Sequence, residues 1–361
     1  MRRLILGITL LVALLGALAL YWYTRPLPVL TVTSWAGTYG RAQAAAQMRP
    51  YAADRRVDVH LAEWDGDLTD VSRAVHDHSY KGDVIDFELP KAIQACRQGL
   101  LEKFDSATLP AGDDGTSAAQ DFVKGALGDC WVGSVIYSQA ILYAKGKFTG
   151  AQPATLADFF DPAKFPGSRA LKQGAKFNLE MALLADGVAP GDVYKTLEND
   201  SGVARALKKL DTLKPGLVWW RTAGESAKLI ASGQAVFATV LNGDIFDDRS
   251  TQPGVIWDRQ LYEFDVFGVP LGDPKKEMAM DFIRYATQSA PLAHVADWVA
   301  LGPARRSAWP LVGKNPDLGL AMRDFLPTDH FATAFAVDDG WWLDHGSALE
   351  ARFQAWMAQP N

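Results

Sequence analysis

The sequence predicts an α/β protein built as two units, each a mostly parallel sheet flanked by helices. Three observations predict it. β-branched apolar runs alternate with helix-period segments, the chain has 361 residues, and no Gly/Ser-rich linker divides it. Strand and helix alternation implies parallel strands joined by crossover helices. The length suits about two domains at roughly 100–200 residues each. Without a flexible linker, the two units are expected to share crossing strands.

The elements follow in order. "PVLTVTSW" reads as the first strand and ends before Gly37, after which an Ala-rich helix begins near Tyr39. "RRVDVHLAEW" is a second strand, with Val57, Val59 and Leu61 alternating. "LTDVSRAVHDHSYKGDVIDFEL" reads as a helix followed by a buried strand at Val84-Ile85, and "GSVIYSQAILYAKG" as another buried strand. A second unit starts near Pro153. It holds the strands "SRALK", "LVWW" and "AVFATVLNG" with helices between them, then two extended stretches in "PGVIWDRQLYEFDVFGVP". Helical segments close the chain, ending with "SALEARFQAWMAQ".

The N-terminus gives an address. Arg2 and Arg3 precede an unbroken apolar run from Leu4 to Leu20, the pattern of an export signal. Ala17-Leu18-Ala19 offers a cleavage site, while the aromatic "YWY" that follows suits an uncleaved membrane anchor. Both readings place the body outside the cytoplasm, in the periplasm. In such an oxidising compartment the only two cysteines, Cys96 and Cys130, are expected to pair, two buried thiols being the other reading. With 48% hydrophobic and 22% charged residues the chain is globular, and a net charge of −6 leaves no basic footprint for nucleic acid.

Enzyme signatures are missing: the chain carries no G-x-S-x-G, no P-loop, no G-x-G-x-x-G and no H-E-x-x-H. His76 and His78 fall on different helix faces, which argues against a shared metal. Neither enzyme activity, metal nor cofactor is expected. Ligands of α/β sheets bind at the carboxyl ends of strands. The residues there are Ser34-Trp35, Asp86 and Glu88 in "DVIDFE", Trp220 and Arg221 in "VWWR", Asn242-Gly243-Asp244, and Glu263 and Asp265 in "YEFDVFGVP". Alternation sends Trp219 and Trp220 to opposite faces, so one is core and the other is free to reach a cleft. Asn242-Gly243 also reads as a tight turn. Asp265 sits among Phe264, Val266 and Phe267, where a carboxylate needs a partner: a ligand amine, or an internal Arg or Lys. Aromatic faces attract a cation and carboxylates fix its ammonium head.

Taken together, the export signal, "VWW", "NGD", "DVFGVP", "ELPKAIQACRQGLLEKFD", "FGVPLGDPKKEMAMDFIRYAT" and "GWWLDHGSALEARFQAWM" resemble the periplasmic solute-binding proteins of spermidine/putrescine-type ABC transporters, over nearly all of the chain after Pro28. The resemblance implies a two-lobed type II periplasmic-binding-protein fold. Residues 1–28 are the signal or anchor. Residues 29–136 and 262–308 form lobe 1, 137–261 form lobe 2, and 309–361 are helices bracing both. Hinges fall near Ser134–Ser138 and Trp257–Asp265. It further implies a monomer that closes on a small cationic amine and delivers it to ABC permease subunits. Trp35 resembles the family's stacking tryptophan, Asp265 its amine-binding aspartate, and Glu180 a second-lobe carboxylate. Leu241, Glu263 and Leu89 stand where aromatics are common, so the cage is depleted for a long polyamine. An ω-amino acid such as γ-aminobutyrate is the alternative ligand, with Arg221 for its carboxylate. Asp244, in place of an arginine found in related sequences, points instead to more than one amine. A membrane-tethered sensor on the same fold is the other alternative.

Overall fold

The structure, a computed structural model, describes residues 13–17, 25–222, 224–247, 249 and 252–359. The predicted export or anchor segment lies outside these residues except for 13–17, which are helical. No helix among the described residues is long and apolar enough to cross a membrane.

Among the described residues, ten strands form one sheet. They are β1 (Val29–Trp35), β2 (Asp58–Trp64), β3 (Val84–Glu88), β4 (Val132–Tyr143), β5 (Arg169–Lys172), β6 (Leu217–Trp220), β7 (Phe237–Leu241), β8 (Gly254–Gly268), β9 (Gly302–Pro303) and β10 (Phe335–Ala336). The main order is β2-β1-β3-β8-β4-β7-β5-β6. β1, β2 and β3 are parallel to one another, as are β5, β6 and β7. The antiparallel pair β4 and β8 joins the two groups. The predicted "two extended stretches" before Pro270 are therefore one strand of 15 residues. It is interrupted where Gln139 pairs with Leu261 but Ile141 pairs with Ile256, so several β8 residues bulge out, Arg259 among them at φ 57°. A second irregularity lies between Gly133 and Val135. Both fall near the positions expected to act as hinges.

Two cores flank this crossing. One gathers Leu30, Val84, Phe87, Ile136, Phe264 and Phe282. The other gathers Phe159, Leu179, Phe237, Leu261, Phe353 and Trp356. This is the two-lobed α/β architecture. The C-terminal helix Asp339–Met357 packs Trp342, Leu349, Phe353 and Trp356 into the second core. Cys96 and Cys130 form the expected disulfide, tying the helix Leu89–Arg97 to the segment entering β4.

Register explains where the strands point. Glu88, the last residue of β3, pairs with Asp265, and Leu241, the last of β7, pairs with Gln139. Between these pairs lies Tyr137 opposite Glu263. The carboxyl ends of both parallel groups thus converge on the middle of the β4–β8 pair. In open α/β sheets that is where ligands bind.

Candidate functional site

β1 stops at Trp35, and the chain turns at Gly37 (φ 83°) into the helix Thr38–Gln43, which continues through a π turn to Arg55. The turn requires Gly40, because a Cβ there would lie 2.4 Å from the Trp35 carbonyl oxygen. Tyr39 and Gln43, four residues apart, share one helix face. Both reach Asp86: the Tyr39 hydroxyl donates at 2.8 Å and Gln43 Nε2 at 2.5 Å, with Ser34 Oγ at 3.4 Å. Only one carboxylate oxygen of Asp86 is satisfied, and its buried Oδ1 has no partner. Burial pushes this carboxyl up to about 7 despite hydrogen bonds from Tyr39, Gln43 and Ser34 that favour the ionised form.

Period-two alternation places Asp265 and Glu263 on one face of β8. The pairings Glu88 with Asp265 and Asp86 with Phe267 bring Asp86 and Glu88 beside them. Asp265 is 7% exposed, its Oδ1 is buried without a partner, and no hydrogen bond or ion pair reaches it among the described residues. Burial, with the negative charges of Asp86, Glu88 and Glu263 added, holds its pKa well above the carboxylate range. Glu88, at the strand end, is solvent-exposed at its tip, and its partly enclosed setting and Glu263 raise it. Glu263 differs. The Lys176 ammonium lies directly on it and also 2.6 Å from Asp339 Oδ1. Burial would raise Glu263, but Lys176, with Asp339 and Tyr137, outweighs burial and lowers it.

The aromatic wall is Trp35 and Trp64, ring centroids 5.9 Å apart, with the buried Trp35 Nε1 unpartnered. From the second parallel group, the end of β5 supplies Lys172, whose ammonium sits 5.5 Å from the Phe177 ring and 5.9 Å from the Trp220 ring and makes no ion pair among the described residues. Phe177 precedes the helix Asn178–Ala185 at φ 71°, an uncommon conformation for a bulky residue and a mark of a constrained loop. Arg221, exposed at the end of β6, hydrogen-bonds Gln173. Asp244 accepts from the Gly224 amide at 2.9 Å, joining the ends of β6 and β7.

Three predicted site residues face elsewhere. Trp220 is 1% exposed and donates to Thr239 Oγ1 at 3.1 Å; it is the core tryptophan, because the face of β6 it occupies is covered by Ala170, Ala235 and Ala238. Its neighbour Trp219 packs on Phe353 and Trp356 of the C-terminal helix, on the opposite face of β6. Glu180 is enclosed in the second core, where Trp342 Nε1 donates to it at 2.5 Å and the Tyr194 hydroxyl at 3.2 Å. Burial pushes it up to about 7. Asn242 is a brace: its Oδ1 accepts from Ser138 N at 2.8 Å and its Nδ2 donates to the Ala300 carbonyl. Asn242-Gly243-Asp244 opens the helix Asn242–Asp247 and is not a tight turn. Sequence reasoning missed Tyr39, Gln43, Tyr137, Lys172, Lys176 and Asp339. Tyr39 and Gln43 carry a signal, being polar and four apart just after a strand end. The others show none.

An open groove of about 540 Å³ runs along the outer side of β1 and β2, past Thr33, Glu63, Asp70 and Arg73. Within it Arg73 and Asp70 pair with each other at 2.8 Å. At the convergence of the strand ends, Asp265 of β8 and Asp86 of β3 each keep a buried oxygen without a partner. No group of three or more metal-type ligands occurs among the described residues.

Known proteins share this architecture. The pattern of the bacterial extracellular solute-binding protein family matches residues 44–318. A γ-aminobutyric acid-binding protein of Pseudomonas aeruginosa is 34% identical over 334 residues, 91% of each chain. The solved structure of a GABA receptor is 30% identical, with TM-score 0.73, covering 92% of this chain and 98% of that one. A spermidine/putrescine ABC transporter substrate-binding protein from Streptococcus pneumoniae, 13% identical with TM-score 0.70 over 91% of this chain and 99% of that one, shares the fold. With carboxyl strand ends converging on a polar centre and likeness along nine-tenths of its length, the chain belongs to the bacterial extracellular solute-binding proteins, the capture components of ABC importers, and is not an enzyme.

Proposed function

We propose that the protein captures a small ω-amino acid of the γ-aminobutyrate type between its lobes and delivers it to the permease subunits of an ABC importer. The observation that carries this reading is Asp265, a buried carboxylate with an unpartnered oxygen at the point where the strand ends converge. An ammonium group supplies the missing partner through a charge-assisted hydrogen bond. Asp86 and Glu88 add negative charge, and Trp35 offers an aromatic face for the methylene chain. Lys172, free of ion pairs, and Arg221 stand on the lobe-2 side for the ligand carboxylate. The likeness to two γ-aminobutyrate-binding proteins supports the same ligand class.

Lobe 1 is taken as 29–136 with 262–308 and lobe 2 as 137–261, the protein acting as a monomer. Ligand contacts from both sides favour closure about the two irregularities of the β4–β8 pair. The segment from Leu4 to Leu20 directs export and, if retained, tethers the protein to the inner membrane.

Titration calorimetry of the exported form with γ-aminobutyrate, putrescine and spermidine tests the reading. γ-Aminobutyrate is expected to bind at least tenfold tighter than either amine. Tighter binding of putrescine or spermidine restores the polyamine reading suggested by Asp244, and binding of none of them overturns the amine site.

A further inference from the structure

Glu263 and Asp265 lie two residues apart on one face of β8, so their carboxylates are separated by about 7 Å, one strand repeat. That is a spacing a four-carbon diamine spans with an ammonium on each. The two positions are not equally available. Asp265 has no partner, whereas Glu263 already holds a cation of the chain itself. The Lys176 ammonium contacts Glu263 and lies 2.6 Å from Asp339 Oδ1, while the side chains of Glu263 and Asp339 are 4% and 0% exposed. Lys176 itself is 29% exposed, so its stem enters from the solvent side, as a ligand amine would.

We propose that Lys176 is a specificity-determining residue: a tethered ammonium that permanently fills the second cation seat of the site and so restricts the ligand to one ammonium. The inference rests on the reading that Asp265 receives the ligand amine. Three contacts position the tether. Phe177, at φ 71°, turns the chain so that the Lys176 and Lys172 ammonium groups lie 5.6 and 5.5 Å from the centre of its ring. Asp339, at the start of the C-terminal helix, closes the seat from above. Tyr137, opposite Glu263 on β4, closes it from the side. A diamine placing one ammonium on Asp265 would bring its second against Lys176, where two cations compete for one ionised glutamate. An ω-amino acid carries no second cation, and its carboxylate is met by Lys172 and Arg221, not by Lys176, whose ammonium is already held by Glu263 and Asp339.

The experiment compares putrescine and γ-aminobutyrate by calorimetry on the wild type, Lys176→Met and the double variant Lys176→Met/Glu263→Gln. Lys176→Met empties the seat and keeps the apolar stem. Putrescine affinity is expected to rise at least tenfold in Lys176→Met and to fall back to the wild-type level in the double variant, while γ-aminobutyrate affinity changes by less than threefold. Should Lys176→Met fail to fold alone, putrescine and not γ-aminobutyrate is expected to restore its folding, since the diamine replaces the missing cation. Wild-type protein that binds putrescine as well as γ-aminobutyrate overturns the proposal, as does Lys176→Met that neither gains putrescine affinity nor is rescued by it. Wild-type protein that binds neither compound overturns the underlying amine reading instead.

Discussion

Asp121 and Asp265 are both buried carboxylates, and they are treated in opposite ways. Asp121, 1% exposed, is fully met: Arg305 Nε donates to Oδ2, Ser307 N to Oδ1 at 2.7 Å and Ser307 Oγ to Oδ2 at 2.6 Å. Arg305 spends its remaining donors on the carbonyls of Thr287 and Pro110. Asp265 has no such partner and faces three other carboxylates. Burial alone therefore does not separate a structural acid from a binding acid; the state of its lone pairs does. Asp86 and Glu180 also keep one buried oxygen without a partner, but each accepts hydrogen bonds on the other, which Asp265 does not among the described residues.

The largest effect tests the structural member of the pair. Asp121→Ala leaves Arg305 buried without a counter-charge, and loss of one partner of a buried pair costs about 3–5 kcal/mol. Urea unfolding is expected to show that loss, with amine affinity of the remaining folded protein little changed. A cost near zero would remove the contrast.

Next comes pH. The folded-state pKa of Asp86 is raised from 3.8 to about 7, so its contribution to stability is fully present below the unfolded value and is lost as pH rises through about 7. Tyr39 and Gln43 from the adjoining helix and Asp265 from β8 face it. Glu263 and Asp158, whose pKa values are lowered, act in the other direction at lower pH. The difference between wild type and Asp86→Asn isolates the term. The variant's advantage is expected to grow between pH 4 and about 7.5, by a few kcal/mol, in parallel unfolding curves. A difference flat with pH would mean that Asp86 is ionised throughout.

Asp265→Asn tests the binding member. Removing a carboxyl group that burial and three neighbouring carboxylates hold well above the usual carboxylate range is expected to stabilise the ligand-free protein at neutral pH by about 1–3 kcal/mol. The same change removes a charge-assisted bond to the ligand, worth roughly 1.5–3 kcal/mol, or about 10- to 100-fold in affinity. Gain of stability with loss of binding is the signature. Loss of both would place Asp265 with Asp121.

How far the sequence reveals this contrast depends on the range of the contacts. β1, β3 and β8 are legible because alternation is local, and Asp265 stands out because its neighbours in the chain are apolar. Trp219 and Trp220 are legible as opposite faces of a strand, but which face the C-terminal helix covers is decided by Phe353 and Trp356, far along the chain. Glu180 reads as a site carboxylate until Trp342 and Tyr194 close over it. Lys176 is one of many lysines in the sequence, and its partners Glu263 and Asp339 lie 87 and 163 positions away. No local pattern encodes such a meeting.

The smallest effect completes the scale of carboxylates. Asp344, on the C-terminal helix that packs into the second core, accepts from Arg97 of the helix Leu89–Arg97 at 2.7 and 3.2 Å, and the two side chains are 57% and 49% exposed. The geometry is bidentate, and the pair joins a helix of the first core to a helix of the second. Water nevertheless solvates both ends before and after it forms, and salt screens it. Arg97→Ala is therefore expected to cost under about 1 kcal/mol in urea unfolding at low salt, with the difference vanishing at high salt. A loss that persists in high salt would show that the pair works as an interlobe clamp. The order Asp121, Asp265, Asp344 would then no longer follow from solvation alone, because lobe closure itself would be contributing to the last of them.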